Sequence, residues 1–152
     1  MKTGKELKQK TIHELIRLKQ DKLAELKNAQ RSSLSDIDTG DVDYADTAES
    51  PREQLIDEIG QTSSSLDFLA TEIETLKTIA PDQVMTTVNF GALVETNAGD
   101  FFVGAASEPF VIEGKKVTGV SVNAPIFKKM EGLKAKAEFH FGNVEYVILN
   151  IY

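Results

Sequence analysis

Six carboxylates crowd one short stretch of this 152-residue chain: Asp36, Asp38, Asp41, Asp43, Asp46 and Glu49. No Lys or Arg lies within residues 32–51, so none of the six has a counter-charge close in sequence. Carboxylates placed in this way repel one another and stay hydrated unless something cationic meets them. Their available chemistry is to present negative oxygen atoms to such a centre. Asp43 and Asp46 stand three residues apart, with Asp41 just before them. Taken alone, the stretch also fits a solvated loop, with Asp36 and Asp38 capping or solvating the end of a preceding helix. Tyr44, among the acids, fits either packing back on its own turn or stacking on a base.

The rest of the composition narrows the chemistry. There is no cysteine, which excludes disulfides, thiolate metal sites and cysteine nucleophiles. The two histidines, His13 and His140, have no second histidine or patterned acid beside them and read as packing or solvated residues. Acids outnumber bases 24 to 17, for a net charge of −7, which argues against a general grip on nucleic-acid phosphates. The bases concentrate in residues 1–31, which carry +5. Lys128, Lys129, Lys134 and Lys136 form a smaller group that reads as solvated. Apolar residues reach 41%, too many for a disordered chain. Neither end shows a long apolar run, so the expectation is a cytoplasmic protein with no membrane segment.

The acidic stretch is flanked by two long periodic segments. Leu55, Ile59, Thr62, Leu66, Leu69, Ile73, Leu76 and Ala80 alternate steps of four and three, a heptad seam with one polar member. Ser50, Pro51 and Glu53 supply start signals for this helix, and Pro81 a stop. Residues 5–33 predict a second helix, with Ile12, Ile16, Leu23 and Leu26 on one stripe beside Lys19 and Gln30, widened by Leu15 and Leu18. Such a helix is roughly 45 Å long and needs a partner for its stripe. The simplest arrangement is an antiparallel helical hairpin over residues 1–80, turning at 34–50 and carrying the acids at its tip.

From Val84 the pattern changes to β-branched and aromatic residues broken by turn signals at residues 96–100, 113–115 and 142–143. Strands are predicted at 84–95, 101–106, 109–113, 117–122, 134–141 and 144–151, with a short helix at 125–131 that begins at Pro125 and stops at Gly132. Phe101, Phe102, Phe110, Phe127, Phe139 and Phe141 are expected to fill or rim its core. The fold class is therefore α+β: a long helical hairpin, then a small antiparallel β module over residues 82–152 with one short helix.

In this arrangement the chain resembles the bacterial Gre transcript-cleavage factors, along almost its whole length. Gly40-Asp41-Val42-Asp43-Tyr44-Ala45-Asp46 is similar to the family's acidic tip. Val88-Asn89-Phe90-Gly91-Ala92-Leu93-Val94 is similar to its Phe-Gly-Ala-x-Val entry strand, and Val120-Ser121-Val122-Asn123-Ala124-Pro125-Ile126 with Gly132 to its Ser-x-Asn-Ser-Pro loop. Two departures are visible. Aligned on Gly40, the Asp and Glu that active tips place three residues apart fall on Asp41 and Tyr44; slid by two residues they fall on Asp43 and Asp46, with Asp for Glu. Ala124 replaces the Ser before proline.

The resemblance implies an FKBP-like C-terminal module that docks on RNA polymerase through Asn123, Ala124 and Pro125. It implies a hairpin that enters the secondary channel. Asp43, Asp46 and Asp41 would then act near the 3′ end of nascent, backtracked RNA. The first two would help hold the polymerase's second Mg²⁺ for hydrolytic cleavage, a two-metal reaction that hard oxygen donors suit. The chain would be a monomeric accessory factor with no cofactor of its own and no catalysis of its own. Three other functions stay open. Aspartate-rich tips occur in Gre-like proteins that inhibit the polymerase from the same channel. A helical adaptor unrelated to polymerase fits the hairpin alone. The module fold suggests prolyl isomerase activity, which no residue constellation supports.

Overall fold

The computed structural model describes residues 4–38 and 51–152, with side chains from residues 4–32, 57 and 60–152. Two helices come first, α1 Gly4–Asp38 and α2 Pro51–Lys77. The remaining elements are β1 Leu93–Thr96, β2 Gly99–Val103, β3 Phe110–Ile112, β4 Lys115–Val120, α3 Pro125–Met130, β5 Glu138–Phe141 and β6 Val144–Ile151. The α+β class is as expected. α1 runs five residues past the predicted end at 33, so Asp36 and Asp38 are helical. α2 opens on Pro51, whose missing N–H costs nothing at a helix start. It ends at Lys77, three residues before the predicted 80. There Thr78 and Ile79 switch to bonds on the carbonyls of Thr75 and Leu76, at 3.1 and 3.2 Å, a tightened last turn.

The chain divides into two compact units, one of Leu18–Glu74 and one of Met1–Arg17 with Thr75–Tyr152. In the first, α1 and α2 face each other in opposite directions. Lys19 Nζ lies 3.2 Å from Glu72 Oε1, while further up α1 Gln30 donates to Ser63 Oγ at 2.6 Å. α1 thus ascends from 19 to 30 as α2 descends from 72 to 63. The predicted stripes supply the contact. Leu69 and Ile73 are buried and Leu18, Leu23, Leu26, Thr62 and Leu66 partly so.

In the second unit six strands form one sheet in the order β3-β4-β2-β1-β6-β5. It is mixed rather than wholly antiparallel. β2 and β4 pair in parallel, from Asp100↔Val117 to Val103↔Val120. The reason lies in the β3–β4 hairpin. Its turn, Glu113-Gly114, has positive φ at both residues (50° and 78°), the geometry that matches strand twist. β3 takes the outer edge, and β4 returns beside β2 in the direction of β2. Gly119 on β4 is required by close approach, since a Cβ there would stand 2.4 Å from the Ala105 carbonyl oxygen.

Two predicted strands are shorter in the structure. Of residues 84–95 only the end becomes β1. Gly91 adopts φ 91°, and the Ala92 N–H closes a turn on the Asn89 carbonyl. Of residues 134–141 only Glu138–Phe141 is a strand, because Lys136 is left-handed at φ 74° and interrupts the extended run.

Period-two alternation sends neighbouring side chains to opposite faces of the sheet. Val94, Phe101 and Val103 join Phe127, Met130, Phe139 and Ile148 on the face covered by α3. Leu93, Phe102 and Val117 join Leu7, Ile12, Leu15 and Leu76 on the other, covered by the first turns of α1 and the end of α2. Ile12 and Leu15, read from sequence as part of the hairpin stripe, therefore pack on the sheet. Phe141, expected in or around the core, is 37% exposed at the β5–β6 turn.

Candidate functional site

The acidic stretch joins the end of α1 to the start of α2. Asp41, Asp43, Asp46 and Glu49 lie outside the described residues, as does Tyr44. Asp36 and Asp38 occupy the last turn of α1, which holds no base. The C-terminal end of a helix carries partial negative charge and favours cations, each such charge being worth about 0.3–1 kcal/mol. Two aspartates there work against the helix that bears them. Among the described residues no group of three or more His, Asp or Glu is arranged to hold a metal ion.

The second candidate surface is the loop into α3. Asn123 and Pro125 are exposed and Ala124 is half-buried. The loop is shaped from within: the Ala124 N–H donates to the Ser121 carbonyl at 3.0 Å, and the Asn123 N–H to Ser121 Oγ at 3.3 Å. Ala124 sits at the cap position without a side-chain oxygen, and Pro125 takes the first helical position. Phe127 and Met130 anchor α3 in the core. The loop thus presents its Asn and Pro outward on a fixed base. Lys128 and Lys129 follow on the same short helix, both exposed.

One polar cluster has no counterpart in the sequence reading. Glu95, on β1, receives Lys115 Nζ at 3.0 Å, Asn150 Nδ2 at 3.5 Å and a hydrogen bond from Tyr152. Burial works to raise its pKa, but the bonds from Lys115, Tyr152 and Asn150 prevail and hold it below the usual range. The Lys115 ammonium is correspondingly raised, chiefly by its bond to Glu95. Asp100, buried on the neighbouring strand, is pushed up from 3.8 to about 6, first by burial and then by the charge of Glu95. Only strand register brings these groups together: Glu95 lies opposite Asp100 on β2 and opposite Asn150 on β6. No short sequence motif could have shown that. The cluster holds strands to each other and has no exposed catalytic geometry. The histidines are bystanders, His13 exposed and His140 in an exposed pair with Glu145 at 3.0 Å.

No family model matches the chain, and no curated protein matches it. Among solved structures, it is similar to GreA factor homolog 1 (Gfh1) of Thermus thermophilus, with 13% identity, 94% of this chain and 93% of that chain covered, and a TM-score of 0.34. Gfh1 of Thermus aquaticus gives 13% identity, 97% and 95% coverage, and 0.34. A further structure of the transcription factor Gfh1 gives 15% identity, 100% and 95% coverage, and 0.35. Scores this low leave the functional reading to the residues themselves. No described helix is long and apolar enough to cross a membrane.

Proposed function

We propose that this chain is an accessory factor of RNA polymerase that works from the secondary channel. Asp43 and Asp46, with Asp41, bring oxygens to the polymerase's own Mg²⁺ centre and stimulate hydrolysis of the 3′ end of backtracked RNA. The observation that carries the reading is the placement of the acids. A stretch of six carboxylates without a base connects two antiparallel helices, and α1 carries two of them where its own dipole disfavours them. The module offers a preformed exposed loop at Asn123, Ala124 and Pro125 for docking. The motif resemblance at residues 40–46, 88–94 and 120–126 supplies the partner.

The chain needs no metal site of its own for this. A donor from outside completes a loosely held second metal, and its carboxylates need only be ionised and unpaired. The aspartate-only tip supports a second reading, inhibition from the same channel, because Asp is one methylene shorter than the Glu of active tips. One experiment separates the two. Purified chain is added to stalled, backtracked elongation complexes, and RNA shortening and nucleotide addition are followed together. Shortening that is lost in Asp43→Ala/Asp46→Ala supports stimulation. Slowed addition without shortening, lost in the same variant, supports inhibition. No effect on either, with no co-purification with core polymerase, sinks the polymerase reading.

A further inference from the structure

Within the unit of Leu18–Glu74, the seam between α1 and α2 sets Leu23 and Leu26 on one helix against Leu66 and Leu69 on the other, all buried or half-buried. Such contacts specify a register weakly, because apolar residues a turn apart on one helix offer the other much the same surface. A slide of one seam step would leave those leucines facing other apolar members, Ile73 and Leu69. The polar contact does not survive it. Gln30 donates from Nε2 to Ser63 Oγ at 2.6 Å, with both residues half-buried. After the slide Gln30 would stand beside Leu66 instead. An amide drawn from water without a partner is penalised, so the bond selects one register. A polar pair in an apolar seam acts in this way at some cost in stability.

The pair sits where α2 is least able to hold itself. Residues 60–65 read Gly-Gln-Thr-Ser-Ser-Ser, and all but the Gln are weak helix formers. No close approach requires Gly60, since a Cβ there would meet nothing within 4 Å. Ser64 Oγ bonds back to the Gly60 carbonyl at 3.2 Å, a competition that loosens a helix. Order in this part of α2 therefore draws on its contact with α1. The register of α1 on α2 also fixes how far apart Asp38 and Pro51 stand, and Asp41, Asp43 and Asp46 lie between those two in the chain.

We propose that Gln30 is a positioning residue: its bond to Ser63 fixes the register of the two helices and thereby where Asp41, Asp43 and Asp46 are presented. The consequence for activity rests on the polymerase reading; the register does not. The chain has no cysteine, so Arg31→Cys/Gln61→Cys, at two exposed positions, takes one nitroxide at each. Pulsed electron spin resonance then reads the distance between the helices. One narrow distance is expected for the parent. Gln30→Leu and Ser63→Ala are expected to broaden it by at least about twofold or to add a second distance. Ser63→Thr, which keeps the hydroxyl, is expected to leave it narrow. On backtracked complexes Gln30→Leu is expected to lower the maximal effect by at least about tenfold at an unchanged half-saturating concentration. Its melting temperature should equal or exceed the parent's, because it adds an apolar residue to the seam. Ser63→Ala decides the matter if Gln30→Leu does not fold. The proposal is overturned if the folded variant keeps the parent's distance, if Ser63→Thr broadens it as Ser63→Ala does, if the loss of effect merely tracks a lower melting temperature, or if Gln30→Leu acts on polymerase as an active parent does. A parent without effect sinks the polymerase reading, and the distances then decide the register by themselves.

Discussion

At the scale of single residues, the most informative group is Asp100. Its carboxyl titrates near 6 instead of 3.8, because burial and the Glu95 charge both disfavour ionisation. Between those two values the folded protein keeps a proton that the unfolded chain has released. Stability therefore falls as pH rises through that window, and the penalty is complete above it. The full shift would correspond to about 3 kcal/mol, and residual solvent screening reduces what is recoverable to about 1–2 kcal/mol. Asp100→Asn should accordingly be the more stable protein at about pH 8 by that amount, and no more stable than the parent at about pH 3. Urea melts at both pH values check this. An advantage of equal size at both would mean that ionisation of Asp100 is not its source. Glu95 has the opposite sign, since its lowered pKa contributes stability that is lost on acidification. The parent is therefore squeezed from both sides by two carboxylates facing one another across β1 and β2.

At the scale of elements, the facing stripes of α1 and α2 meet a conflict at Lys19 and Glu72. Their charged atoms are 3.2 Å apart with side chains only 14% and 12% exposed, and Glu72 Oε1 is buried without a hydrogen bond. Such a pair repays its desolvation only with good geometry, and apolar replacement of both partners is often neutral or stabilising. Lys19→Met/Glu72→Met should raise the stability of the folded chain by about 1–2 kcal/mol, whereas Glu72→Met alone should lower it by taking the Glu72 carboxylate away from a largely buried ammonium. Thermal melts of the three proteins decide it, and a double variant less stable than the single one removes the argument. Local signals made most of these elements legible in the sequence. The three-four spacing in α2, Pro51, Pro125 and the Glu113-Gly114 and Gly142-Asn143 turns each act within a few residues. What escaped depends on partners distant in the chain. Period alone could not tell that Ile12 and Leu15 meet Leu93 and Phe102 across the sheet. It could not tell that β2 and β4 run in parallel, or that Glu95, Asp100, Lys115 and Tyr152 converge. Lys8, buried and bonded to the Gln83 carbonyl, read as one more base in a basic helix, because its burial is imposed by residues some seventy positions on.

At the scale of the whole molecule, the functional reading divides the labour between two places in the chain. Residues 41–46 would act on chemistry that belongs to the partner, while Asn123, Ala124 and Pro125 would hold the partner. Those tasks have different kinetic signatures. Removing tip carboxylates takes away an interaction made only at the reacting centre, so the effect at saturation falls while the half-saturating concentration stays. Changing the docking loop takes away binding common to every state, so the half-saturating concentration rises while the effect at saturation stays. Asp43→Asn/Asp46→Asn, which keeps side-chain size, should reduce maximal cleavage or inhibition by at least about a hundredfold, within the range typical for lost electrostatic stabilisation. Asn123→Ala/Pro125→Ala should raise the half-saturating concentration by about tenfold or more, as expected for about 1.4 kcal/mol of lost contact. Pro125 begins a helix whose anchors, Phe127 and Met130, remain in the core, so this variant keeps the module folded. Titrating each variant against backtracked complexes reads both quantities from one curve. If the tip variant changes only the half-saturating concentration, the carboxylates serve docking rather than the metal, and the division of labour fails.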